Sequence, residues 1–207
     1  RLPPPHDGPP PSPQPGHPPD MDSPTPREPA TAAQGAEGPR LEFPGVHAEP
    51  RALIDYILQR FHAVHRAQLP ELIELAHKVE TVHADHAQAP RGLAALLKGV
   101  HADLLDHMNS EETLLFPMLA RGRAAFALHP ICVMVSEHEE HGRKLEHVLA
   151  LTGQATAPEG ACRSWVRLCA ATRQFAEDLR RHIELENQVL FARFDPSLAR
   201  DGAAGPA

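Results

Sequence analysis

The chain has 207 residues, enough for one ordinary domain or one domain with a long tail. Its formal charge is −7 with neutral histidines, so no basic patch argues for nucleic acid as a partner, and no apolar run approaches the roughly 20 residues a membrane span needs. Three cysteines (Cys132, Cys162 and Cys169) make neither a disulfide framework nor a zinc motif; they read as small core residues in a reducing, cytoplasmic compartment.

Residues 1–48 are rich in proline, from Pro3-Pro4-Pro5 through Pro9-Pro10-Pro11 to Pro44-Gly45. Proline fixes φ and lacks an amide donor, and little here can be buried, so the stretch is expected to be a disordered tail. His6, His17 and His47, in or beside it, are not expected to be ligands. Helical periodicity begins at Glu49, with Pro50 suited to a first turn. The first helix is expected to run to about Ala67 and to be interrupted by Leu69-Pro70. A second segment then carries Leu69, Leu72, Ile73, Ala76 and Val79, and Pro90-Arg91-Gly92 ends it. From Leu93 the positions Leu97, Val100, Leu104, His107, Glu111, Leu114 and Met118 form one stripe, closed by Gly122. After Pro130 the same spacing gives Ile131, Met134, His138, His141, Leu145 and Val148. Residues 153–160 are a loop. The last helix gives Trp165, Leu168, Thr172, Phe175, Leu179, His182, Glu186 and Val189, and Asp195-Pro196 stops it. These elements predict an all-α domain over 49–195, an antiparallel four-helix bundle with an extra broken segment at its start and a loose tail over 196–207.

Histidine is the compositional anomaly, with 15 copies, and imidazole is the commonest metal ligand. Polar residues interrupt the core stripes in one recurring way. His107, Glu111, His138, His182 and Glu186 stand where the pattern calls for leucine. Burying such groups without partners costs at least several kcal/mol each, and a bound cation would compensate all five. In His107-x-x-x-Glu111 and His182-x-x-x-Glu186 the two side chains lie one turn apart on one face. Two antiparallel helices with one pair each can aim four ligands at one point. His138 joins them from the third stripe, with His141 one turn on along the same face. Histidine with carboxylate suits iron, manganese or zinc better than calcium or magnesium. Glutamate can bridge two metals, as in carboxylate-bridged di-iron bundles, although the ferritin type uses Glu-x-x-His and more carboxylates. His138-Glu139-Glu140-His141 is not a zinc protease motif, which places two residues between Glu and the second His.

The stretches Phe61-His62, His65-Arg66, Gln68-Leu69-Pro70-Glu71-Leu72, Lys78-Val79-Glu80 and Val82-His83-Ala84-Asp85 carry a family resemblance. It continues through His107-Met108, Glu111-Glu112, Leu115-Phe116-Pro117-Met118, Pro130-Ile131, Ser136-Glu137-His138, His182-Ile183, Leu185-Glu186-Asn187 and Val189-Leu190-Phe191. Over roughly residues 50–194 the chain resembles a hemerythrin-like domain, most of all the bacterial repair-of-iron-centres group. The resemblance implies seven ligands to two iron ions with an oxo or hydroxo bridge: His62, His83, His107, His138 and His182 as terminal imidazoles, Glu111 and Glu186 as bridges. It also implies NO or O₂ as a diatomic ligand, damaged iron–sulfur proteins as partners, and a role in stress repair. The alternative is an NO scavenger, or an O₂ carrier or sensor, without repair activity. Members of the repair group usually carry an N-terminal Cys-Cys domain, whereas no cysteine precedes Cys132 here; tail plus bundle is closer to the NO-binding relatives encoded beside nitric oxide reductases. No nucleophile–base pair or phosphate-binding glycine loop argues for hydrolytic or phosphoryl-transfer enzymology, so a metal- and NO-handling protein is favoured over a classified enzyme. His62 and His83 depend on a chain reversal near Pro70, because 21 residues of unbroken helix separate two ligands by roughly 31 Å. Without that reversal one of the two fails, and His65 and His86 are the nearest substitutes.

Overall fold

The computed structural model describes residues 41–122 and 124–198. The proline-rich stretch as far as residue 40 and the final residues 199–207 lie outside these. Four long helical rods follow one another, and no strand occurs among the described residues. The first rod runs without a break through Pro50–Ile57, a π-helical Leu58–His62 and Ala63–Val82. The second comprises Leu93–Ser110, a π-helical Glu111–Leu115 and Phe116–Ala120. The third is Ala124–Leu151, and the fourth is Arg163–Leu185 extended by a π-helical Glu186–Leu190 and a final 3-10 turn, Phe191–Arg193. The first rod packs along the second and the fourth, and the second along the third.

Two expectations about helix boundaries give way to packing. Pro70 lies inside the first rod rather than ending it. A proline there forfeits one backbone hydrogen bond and crowds the preceding turn. Its own side is exposed, however, while Leu69, Leu72, Leu75, Ala76 and Val79 are all buried in one core cluster. Breaking the rod would expose that stripe, and burial of five apolar side chains outweighs a lost hydrogen bond. Pro130 is likewise internal to the third rod, which starts at Ala124 rather than after the proline. The first rod therefore has no broken segment.

The N-terminal boundary also differs from expectation. Residues 41–48 have no helix, yet they are fastened to the bundle. Phe43 meets Tyr56 edge-on with 5.4 Å between ring centroids. The Arg193 guanidinium donates to the carbonyls of Val46 and Ala48, and Ala48 packs on the core.

The apolar core falls into two clusters. One joins Leu69–Val79 of the first rod to Leu93–Met108, Leu145–Leu149 and Trp165–Leu179. The other joins Leu53–Phe61 to Leu115–Leu119, Ala127–Met134 and Leu190-Phe191. Between them the rods contribute a buried polar layer: His62, His65, His107, Glu111, His138, His141, His182 and Glu186. Cys169 is buried as expected, whereas Cys132 is exposed and Cys162 half-buried, so only one of the three cysteines is a core residue.

Leu97 is fully buried in the first cluster, roughly 15 Å along the helix from His107. Leu97→Ala should lower the unfolding free energy by about 2–5 kcal/mol, as cavity-forming truncations do. Chemical denaturation followed by circular dichroism measures this, and the metal content of the folded fraction should not change.

Candidate metal centre

Each of the three π-helical turns ends or begins on a residue of the polar layer: His62 closes the first, Glu111 opens the second and Glu186 opens the third. A π turn admits one extra residue, and such bulges gather at functional sites. The insertion shifts the stripe by one position. Leu115 rather than Leu114 is buried after Glu111, and Leu190 rather than Val189 after Glu186. A strict three-four count, which places Leu114 and Val189 in the core, misses both. Leu114 is 56% exposed.

The polar layer converges on two points. His62, Glu111, His182 and Glu186 form one group of four, and His107, Glu111, His138 and Glu186 the other; within each group one donor atom per residue lies within 4.8 Å of the rest. Both carboxylates are common to both groups. Glu111 Oε2 is 3.3 Å from His62 Nε2 and 3.5 Å from His107 Nε2. Glu186 divides its oxygens: Oε1 is 3.0 Å from His182 Nε2 and 3.8 Å from His62 Nε2, and Oε2 is 3.1 Å from His138 Nε2.

The outer nitrogens of three histidines fix their tautomers. His62 Nδ1 lies 2.7 Å from Glu112 Oε1, His107 Nδ1 2.7 Å from Glu137 Oε2, and His138 Nδ1 2.8 Å from Asn187 Oδ1. All three partners are acceptors, so each Nδ1 carries a hydrogen, and each Nε2 is the position that a cation, or in its absence a second proton, would take. His107 Nε2 and His138 Nε2 then face each other at 3.0 Å. Glu186 outweighs burial and raises His138, so in the metal-free chain a proton on His138 Nε2 donates to His107 Nε2, and a cation would take that proton's place. Glu111 and Glu186 are fully buried, and neither their oxygens nor Nε2 of His62 and His182 have a hydrogen-bond partner among the described residues. These are the donors a cation would satisfy, and the mixed imidazole–carboxylate set fits a transition metal. Glu112 holds His62 and is itself held by Arg66 at 2.8 Å.

The electrostatics show the same demand for positive charge. Burial works against a charged His62, but the neighbouring carboxylates Glu111 and Glu186 outweigh it and push its pKa up to about 10. Burial, reinforced by His138, pushes His107 down to about 2. Burial and the adjacent Glu186 raise Glu111. Glu186 moves the other way, because His182, His138 and His62 outweigh its burial. One carboxylate thus leans toward its neutral form so that the other can stay charged.

Of the seven residues expected as ligands, the structure brings together His62, His107, Glu111, His138, His182 and Glu186. His83 is not among them. It terminates the first rod, 21 residues of continuous helix from His62, roughly 31 Å away. There its Nε2 meets the Cys162 thiol at 3.0 Å and its ring lies 4.8 Å from Trp165. The chain reversal it required does not exist. Of the substitutes, His86 lies at the same remote end against Trp165. His65 is fully buried beside His182, 5.3 Å between ring centroids, without joining either group. His141 is also buried. Its ring is 4.9 Å from that of His107, and it lines a cavity of about 280 Å³ with Asp103, Asp106 and Glu137.

Phenyl rings enclose the layer. Phe61 stacks on His182 at 5.2 Å, Phe116 on His62 at 5.6 Å and Phe191 on His138 at 6.0 Å. Leu115 and Leu190 complete the buried wall, while Met118, which the three-four stripe places in the core, is only half-buried. Such walls lower the local dielectric and restrict access.

Residues 53–194 match the family described as Hemerythrin HHE cation binding domain. The chain is 52% identical over 142 residues to the iron-sulfur cluster repair protein DnrN of Neisseria gonorrhoeae, which covers 69% of this chain and 89% of that protein. It is 48% identical over 141 residues to the iron-sulfur cluster repair protein YtfE of Yersinia pseudotuberculosis, covering 68% of this chain and 64% of the relative. A probable iron-sulfur cluster repair protein of Haemophilus influenzae is 47% identical over 141 residues, with 68% and 63% covered. The chain therefore spans less than two thirds of the length of the latter two.

Two outcomes follow from this geometry. His83→Ala should hold as much metal as the unaltered chain in elemental analysis. Since His62 keeps its proton up to about pH 10 in the metal-free protein, a cation must displace that proton. Metal binding near pH 7 should therefore release at least one proton, and apparent affinity should rise about tenfold per pH unit for each one. Titration calorimetry in buffers of differing ionisation enthalpy reads both.

Proposed function

The chain belongs to the hemerythrin HHE cation-binding family, and on that premise we propose that it carries a di-iron centre and serves the repair of iron–sulfur clusters damaged by nitrosative or oxidative stress. The observation that carries this reading is the pair of overlapping ligand groups that share both Glu111 and Glu186. His62 and His182 would hold one ion and His107 and His138 the other, with Glu111 and Glu186 available to both. Iron there would supply redox chemistry toward a small ligand. The chain's own residues hold it: Glu112, Glu137 and Asn187 orient three imidazoles, and the phenyl rings keep water from the inner donors. In the repair reading iron is also cargo, and a damaged iron–sulfur protein is the partner that receives it. The names of the Neisseria and Yersinia relatives support this direction. The role is metal handling rather than a classified enzymatic reaction. A cytoplasmic setting belongs to the proposal, since Cys132, Cys162 and Cys169 all carry free thiols, which a reducing compartment preserves. No described helix is long and apolar enough to cross a membrane.

A second reading, capture of NO or O₂ without repair, is favoured by the apolar rings of Phe61, Phe116 and Phe191 around the histidines. Their faces suit a small, weakly polar ligand better than an ionic one.

The iron-loaded chain should contain two irons. Glu186→Ala should lose both, because the carboxylate is shared, whereas His182→Ala should retain about one, each variant keeping its helical circular dichroism. Full iron occupancy in Glu186→Ala would refute the ligand assignment. For the activity, the iron-loaded protein should restore turnover to an iron–sulfur enzyme inactivated by NO, and Glu186→Ala should not. Stoichiometric NO uptake with no restored turnover would establish the second reading instead.

A further inference from the structure

His62, His107 and His138 each present Nδ1 to an acceptor, Glu112, Glu137 and Asn187 in turn. His182 is the exception, since its Nδ1 has no partner among the described residues. With a cation on Nε2, as the two-cation reading places it beside Glu186, the ring carries its hydrogen on Nδ1, a buried donor in need of an acceptor. The neighbouring ring is that of His65, fully buried, with 5.3 Å between centroids, and its Nε2 is likewise without a partner.

The tautomer of His65 can be traced from the surface inward. Arg60 Nη2 donates to Asp178 Oδ1 at 2.6 Å, and Asp178 is itself buried. The Gln68 amide donates through Nε2 to Asp178 Oδ2 at 2.7 Å, which leaves Gln68 Oε1 as an acceptor. His65 Nδ1 approaches that oxygen at 3.4 Å and so carries the hydrogen. His65 Nε2 is therefore a lone pair beside the unsatisfied donor of His182. His65 also lies against the rings of Phe61 and Phe175, with 6.4 and 5.7 Å between centroids. A leucine would fill the same space and leave no nitrogen unsatisfied.

Resting on the two-cation reading above, we propose that His65 is the positioning residue for His182: its Nε2 accepts the Nδ1 hydrogen of His182 through one buried water, and so ties this ligand through Gln68 to the Arg60–Asp178 ion pair. Loading a cation on His182 Nε2 makes Nδ1 a stronger donor and tightens this link. The His182 site is then electronically distinct from the other. Its imidazole leads to an anchored carboxylate through two neutral groups, whereas His107 meets Glu137 directly.

Cobalt(II), titrated into the metal-free full chain, is the probe, followed by its visible absorption; the reduction potential of the iron-loaded protein is the second readout. His65→Leu should weaken one of the two cobalt sites by about ten- to a hundredfold and alter the absorption of that ion alone. His65→Gln, whose amide oxygen can accept, should recover most of the loss. Gln68→Leu leaves the packing around His65 in place and should shift the potential in the same direction as His65→Leu, by less. If the unaltered chain binds two cobalt ions and His65→Leu does so with the same affinity and spectrum, His65 is only a core residue and the proposal fails while the two-cation reading stands. Should His65→Leu not fold, an unchanged potential in Gln68→Leu overturns the link to Asp178 and with it the proposal. No cobalt binding by the unaltered chain overturns both.

Discussion

Two glutamates with no exposed surface, set among imidazoles at the waist of a helical bundle, form the constraint on which the rest of this structure depends. A buried carboxylate without compensation costs several kcal/mol, and here two share one small space. Every feature around them supplies positive charge or hydrogen-bond order. Four imidazole nitrogens point at them from all four rods, and three of those rings are held from behind by Glu112, Glu137 and Asn187. The layer separates two apolar clusters that would otherwise merge. Stability of the fold rests on those clusters, and the layer between them is built to receive cations.

The π turns show how local backbone and site chemistry are joined. A regular helix moves its buried stripe by a fixed angle per residue. At Glu111 and Glu186 the π turn rotates the following segment, so the leucine four residues on is buried and the residue three on is not. The same device ends at His62 in the first rod. The third rod, which supplies His138, has no such turn, and its stripe from Ile131 to Val148 follows the regular count.

The two ligand groups share their carboxylates but not their surroundings. The His107–His138 side lies beside an acid-lined cavity and the half-exposed Glu137. The His62–His182 side lies against Phe61, Phe116 and the buried His65. One side is therefore wetter and more anionic, and the other drier. Cations bound in such settings would differ in lability.

Periodicity and composition by themselves determined the all-α class, the four-rod order and the two His-x-x-x-Glu pairs. These are local properties: a helix places residues four apart on one face whatever surrounds it. His138 was legible for the same reason. The family resemblance, not the spacing, supplied His62, and it supplied His83 on equal terms. Only the tertiary structure separated them, because whether Pro70 breaks a helix depends on what its neighbours bury. With Leu69 to Val79 packed in the core the rod stays straight, His62 reaches the carboxylates and His83 is carried to the far end beside Cys162. The sharing of Glu111 and Glu186 between two ligand groups, the anchoring of residues 41–48 and the burial of His65 beside His182 were likewise decided in three dimensions. Each arises between segments far apart in the chain, where no periodic count reaches.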